Sequence, residues 1–357
     1  DGWIRQTMSH YYAPQLKSLS RRIRLQEQRQ KVTNFMSFKI PLAVSLSSIF
    51  LFCLIPLVTQ SQIMNVTLIG TGEPVPRMDR FGPSTLVEAG GKRLLFDVGR
   101  GATQRLWAQL NIPLREIDGV FITHFHSDHL TGIPDLWLTG WLPPPFGRRT
   151  TPFRVYGPKG IQSILEGMRQ AFEPNIQIRI ADEKLPEDGV KFDVKEFSGN
   201  GVIFNEQGLV VTAFAVDHGE LIKPSYGYRV DYGGRSVVIS GDTRFDENLI
   251  EMARGTDVLI HEVAAAHPEL INFDERIQLI LDHHTTPEEA GIVFSRATPK
   301  LAVYTHFVLL SGPGVPEVTL EELVERTRKN YSGPLQIGED LMRLEIGETV
   351  QIHRYLP

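Results

Sequence analysis

The stretch Thr123-His124-Phe125-His126-Ser127-Asp128-His129-Leu130 constrains this chain more than any other. It places three imidazoles and a carboxylate within six positions, directly after the apolar run Gly119-Val120-Phe121-Ile122. His124 and His126 are two apart, so on an extended segment both point to one side. Asp128 and His129 follow where Leu130-Thr131-Gly132 turns the chain. One loop then offers two nitrogens to one cation, and an oxygen and a nitrogen to a second beside it. Imidazole and carboxylate without thiolate suit zinc ahead of manganese or iron.

Matching groups recur downstream. His218 closes Val216-Asp217-His218-Gly219, Asp242 follows Val237-Val238-Ile239-Ser240-Gly241, and His306 closes Val303-Tyr304-Thr305-His306. Each is a polar residue at the mouth of an apolar strand. One such residue is more often structural, but four strand ends, counting His124, that each present a zinc-type ligand make a site. Thiolate ligation and a disulfide framework are excluded, because Cys53 is the single cysteine and lies in an apolar segment.

Charge is unevenly spread. Residues 1–35 hold seven of the 37 Lys and Arg and two of the 42 Asp and Glu, which leaves 30 basic against 40 acidic residues beyond them. That balance weighs against a long polyanion as substrate, since phosphate binding leans on clustered Lys and Arg. The chain reads as three parts. Residues 1–35 are a basic tail that need not belong to the mature protein. Residues 36–62 have the form of an export signal, with Lys39 before the apolar run 40–58 and Thr59-Gln60-Ser61 as small cleavage-site residues. That run is also long enough to remain as a membrane anchor. The expected location is therefore periplasmic or secreted, or membrane-anchored if residues 40–58 are retained.

Residues 63–357 form the expected hydrolase domain. Strands are expected at Met64–Ile69, Ser84–Ala89, Arg93–Asp97, Val120–Thr123, Phe153–Tyr156, Leu209–Val216, Tyr226–Tyr232, Ser236–Ser240, Val258–Ile260 and Leu301–Thr305. Helical spacing marks Thr103–Leu110, Gly160–Phe172, Glu247–Ala253, Thr286–Ser295 and Leu320–Arg328. Strands alternating with helices imply an α/β protein with sheets covered by helices. Phe81, Trp137, Trp141 and Phe146 are candidates for an apolar wall beside the site, and for ordinary packing.

The HxHxDH loop, His218, the Gly-Asp-Thr at Asp242 and His306 together resemble the metallo-β-lactamase superfamily of binuclear hydrolases, over about residues 64–350. The resemblance implies an αββα sandwich with two zinc ions at one edge of the facing sheets. By position, His124, His126 and His218 would hold one zinc, Asp128, His129 and His306 the other, with Asp242 bridging. Gly70-Thr71-Gly72, Tyr226-Gly227-Tyr228-Arg229, Ile260-His261-Glu262 and His283-His284-Thr285-Thr286 narrow the likeness to the branch of tRNase Z and the type III arylsulfatase-like enzymes. In that branch the proton donor falls on His283, with His284 as the fallback, and His261 and Glu262 would orient it. Asp128 would orient the nucleophilic hydroxide and take its proton.

Bacterial tRNase Z enzymes of this branch carry a long arm between the ligands matching His218 and Asp242, and here that interval is 24 residues. The expectation is therefore a di-zinc hydrolase of small sulfate or phosphate esters, arylsulfatase-like. The alternative is a tRNA 3′-processing endoribonuclease. A lactonase or β-lactamase and a metal-binding domain without turnover rank below both. The expected partner is a small-molecule ester, with nucleic acid disfavoured but retained, and the resemblance implies a homodimer.

Overall fold

The computed structural model describes residues 62–355. The tail 1–35 and, apart from Gln62, the segment 36–62 lie outside the described residues. Apolar runs bounded by turns become strands, which divide between two sheets. The first has the order β15-β14-β1-β2-β3-β4-β5-β6. Its strands are β1 Met64–Gly70, β2 Ser84–Ala89, β3 Lys92–Phe96, β4 Gly119–Phe121, β5 Phe153–Pro158, β6 Phe192–Phe197, β14 Arg343–Ile346 and β15 Val350–His353. The second has the order β13-β12-β11-β10-β9-β8-β7. Its strands are β7 Gly201–Glu206, β8 Leu209–Ala215, β9 Tyr226–Tyr232, β10 Arg235–Ile239, β11 Val258–Ala265, β12 Leu301–Leu309 and β13 Leu335–Ile337.

Helices cover both outer faces: α1 Ser127–Leu130, α2 Ile133–Trp141, α3 Ile161–Ala171, α4 Glu173–Glu183, α5 Glu247–Ala253, α6 Pro268–Phe273, α7 Glu275–Leu281, α8 Pro287–Ala297 and α9 Leu320–Arg328. The period of two along each strand assigns side chains to layers. Phe121, Ile260 and Val303 meet Leu68, Phe96 and Tyr228 between the sheets. Val120 and Ile122 face outward onto Trp137, Trp141 and Leu165. Leu259 and Tyr304 face outward on the other side, onto Val293, Phe294 and Leu323. Three apolar layers enclosed by helices make the αββα sandwich. Each fully buried aliphatic or aromatic side chain contributes about 1.5–3 kcal/mol, and a one-residue slip would expel a whole set to the wrong face.

Several expectations change. β11 runs on to Ala265 and β12 to Leu309, because their polar residues are accommodated inside the sandwich. Thr103–Leu110 is a short helical turn at Ala102–Gln104 followed by a wider turn at Arg105–Gln109. Trp137 and Trp141 are fully buried against the outer face of the first sheet, so they form core and no wall at the site. Phe146 packs on Trp107, and Phe81 lies under the Arg105 guanidinium. Among the described residues no helix is long and apolar enough to cross a membrane.

Candidate active site

The loop after β4 and the ends of the second sheet's strands deliver the ligating side chains to one edge of the sandwich. His124 leaves β4 fully buried, and His126 is the exposed member of the set. His126 is also the N-cap of α1, whose single turn carries Asp128 and His129 inward. His218 follows β8, and Asp242 follows β10 through Gly241. Gly241 has φ of 62°, and a Cβ there would come within 2.5 Å of the Tyr226 carbonyl, so only glycine allows this turn. His306 lies within β12, where the register against β11 shifts from His261↔Tyr304 to Val263↔Phe307. That extra residue is a bulge, with His306 at φ 44°, and it aims the imidazole at the site.

The donor atoms converge on Asp242. Its Oδ2 lies 3.3 Å from His129 Nε2 and from His306 Nε2, and 3.7 Å from His124 Nε2 and from His218 Nε2. His218 Nε2 is 3.3 Å from His126 Nδ1. Asp128 Oδ2 is 3.2 Å from His306 Nε2 and 3.4 Å from His129 Nε2. Two ligand groups result: His124, His126, His218 and Asp242, and beside them Asp128, His129 and His306. His124 Nε2 and His129 Nε2 are buried with no hydrogen-bond partner. Orphaned imidazole nitrogens among carboxylates are the donor set that a divalent cation with N and O ligands requires.

Burial holds the His218 imidazole down at about 4 and His124 well below its ordinary range. His306 is also buried, but Asp242 and Asp128 outweigh that penalty and push it up to about 9. His129 goes the same way, since Asp242, Asp97 and Asp128 overcome its burial. Asp242 is buried too, yet His306, His129 and His124 hold its carboxyl well below the usual range.

Asp97 escaped the sequence reading. It follows β3 at φ 57°, and its Oδ2 lies 2.8 Å from His129 Nδ1. It also accepts from the Thr123 N–H and hydroxyl, both at 2.8 Å, and Thr123 Oγ1 is 3.0 Å from His124 Nδ1. One carboxylate thus fixes the rings of two ligand candidates. The same rule that found Asp242, a polar residue after an apolar strand, points to it after Leu94-Leu95-Phe96.

The four residues outside the ligand set separate by face. His261 points away from the site, bonded through Nδ1 to the Glu262 carbonyl at 2.6 Å and packed on Phe294. Glu262, on the other face of β11, accepts from Thr243 N at 3.2 Å and Thr285 N at 3.1 Å. Burial and Asp242 push its carboxyl well above the usual range. His284 Nδ1 lies 3.2 Å from Glu262 Oε1, and the ring belongs to a cluster with Asp242 and His306. His283 lies outside that cluster, half-buried beside Gly219 and Arg244. Its carbonyl receives His218 Nδ1 at 2.7 Å.

The family profile described as the beta-lactamase superfamily domain matches residues 92–307. The chain belongs to the metallo-β-lactamase superfamily. It is a metal-dependent hydrolase of that superfamily, with the corresponding fold. A ribonuclease Z of Mycobacterium bovis is 33% identical over 284 residues, which cover 80% of this chain and 99% of the relative. A Bacillus subtilis metallo-β-lactamase fold protein superposes with a TM-score of 0.61 at 18% identity, covering 80% of this chain and 100% of the other. The short form of human tRNase Z gives 0.57 at 23% identity, covering 78% and 98%.

The mycobacterial alignment bears on the missing arm. Its 284 residues take in nearly all of the relative and a span of about equal length here, so a long insertion in the relative would have to be offset by a deletion elsewhere. Against a likeness of that extent, the short interval between His218 and Asp242 weighs little. The arylsulfatase-like expectation finds no support among these relatives.

Proposed function

We propose that this superfamily member is a phosphodiester hydrolase of the ribonuclease Z type, cutting RNA at a 3′ trailer. The observation that carries the reading is the near-complete alignment with the mycobacterial ribonuclease Z. Zinc fits the donor set: His124, His126, His218 and Asp242 would hold one ion, and Asp128, His129 and His306 would hold a second. Bound there, the two ions supply an acidified water and positive charge for the phosphate oxygens.

The chain's own groups do the rest. Asp128, beside His129 and His306, orients the attacking water and takes its proton. His284 replaces His283 as the proton donor to the leaving oxygen. Its ring sits in the cluster with Asp242 and His306, with Nδ1 3.2 Å from the Glu262 carboxyl, whereas His283 lies outside that cluster. His283 serves through its backbone, by holding His218. Proton donation of this kind contributes about 100- to 10,000-fold in rate.

The test is parallel turnover of bis(4-nitrophenyl) phosphate and 4-nitrophenyl sulfate by the zinc-loaded protein, with His126→Ala as the blank. The diester is the expected substrate. Faster turnover of the sulfate would reject this reading in favour of a small-ester sulfatase.

A further inference from the structure

A crevice of about 460 Å³ opens beside His284. Ala264, Ala265 and Ala266, at the end of β11 and just past it, line it with nothing larger than a methyl group. Ile271 and Leu281, from α6 and α7, add two branched apolar side chains. Glu289 brings a carboxylate whose Oε2 is taken by the Thr286 N–H and hydroxyl, at 3.0 and 2.8 Å, while Oε1 has no protein donor among the described residues. Arg244, two residues after Asp242, reaches the same space. The nearest carboxylate to its guanidinium is Asp217 at 3.8 Å, beyond hydrogen-bond reach, and its buried Nε has no partner.

These features fit one kind of occupant. A nucleobase has two apolar faces and an edge of donors and acceptors, and proteins hold it between apolar side chains with polar groups at its edge. The small flat lining, the branched side chains and the available carboxylate oxygen answer those needs in turn. An aryl leaving group would use the apolar lining alone. Arg244 stands where a phosphate joined to that base would approach Asp242, and guanidinium is the group suited to phosphate oxygens.

We propose that this crevice is a nucleotide subsite, with the base against Ala264–Ala266 and Arg244 on the phosphate. It rests on the reading of the chain as an RNA phosphodiester hydrolase for its place beside the scissile bond.

The experiment is a titration of the full chain, labelled at its alanine methyl groups, with AMP and separately with ribose 5-phosphate. AMP is expected to bind about tenfold or more tightly than ribose 5-phosphate, the margin that base contacts usually give. It should also shift the Ala264, Ala265 and Ala266 methyl signals. Ala265→Leu should bring AMP down to the level of ribose 5-phosphate while the sugar phosphate keeps its affinity, which also shows the variant folded. Arg244→Gln should weaken both ligands together and keep the preference for AMP. Equal affinities in the unaltered protein, or AMP binding that leaves those methyl groups unmoved, would overturn the proposal. Turnover of bis(4-nitrophenyl) phosphate, measured alongside, separates the two ideas. A base preference without turnover keeps the subsite and drops the reaction, and turnover without a base preference does the reverse.

Discussion

Asp97 and Glu262 show how much of this site depends on carboxylates behind the histidines. Asp97 takes the far nitrogen of His129 at 2.8 Å and turns that ring to present Nε2, and the Glu262 carboxyl lies 3.2 Å from His284 Nδ1. Asp97→Asn should leave the fold intact and cost about 10- to 100-fold in zinc affinity. Competition with a chromophoric chelator measures this, and an unchanged affinity would show that His129 is held by packing alone. His284→Ala should lower kcat on the phosphate diester by about 100-fold or more, whereas His283→Ala should change it by roughly twofold or less. The sequence could name the seven ligand candidates because four follow apolar runs and the other three share the loop with His124, in an order that resembles the superfamily. It put His283 ahead of His284, because adjacent residues on a turn differ only in which one lies near distant groups; in the fold His284 is the one clustered with Asp242 and His306.

At the scale of elements, the site depends on strand ends and on what stops the helices beside them. The strands framed by alternating apolar residues and glycine turns were legible almost to their boundaries, as at Tyr226–Tyr232. The extensions of β11 and β12 were not, since His261, Glu262 and His306 interrupt the apolar pattern while the backbone continues to pair. α6 and α7 also went unseen, because exposed Phe273 and Leu279 blur their periodicity. Two capping boxes allow a controlled comparison. Thr286 caps α8 directly after His284-Thr285, and Thr319 caps α9 away from the ligands. Either change to alanine should cost about 1 kcal/mol in denaturant unfolding. Thr286→Ala should also reduce turnover, and Thr319→Ala should not. Equal effects on turnover would mean that α8 has no particular part in holding His284.

For the whole molecule, the two sheets meet at the ligands. The first supplies His124, His126, Asp128 and His129 through the loop after β4, and the second supplies His218, Asp242 and His306. Zinc bound there should tie the sheets together and raise the melting temperature, and chelation should lower it. Ligand present at 1,000 times its Kd stabilises the folded state by about 4 kcal/mol. The sandwich itself was legible through the superfamily resemblance that the ordered ligands carry, while periodicity reached only sheets covered by helices. The substrate was not, because the overall acidic charge and the short His218–Asp242 interval pointed toward a small ester. The measurement that tests the account most directly is cleavage of a tRNA precursor carrying a 3′ trailer by the zinc-loaded protein, with the cut mapped at nucleotide resolution and His126→Ala as the blank. The account predicts a single cut at the start of the trailer, lost in the blank. An intact precursor alongside steady turnover of an aryl sulfate would contradict it.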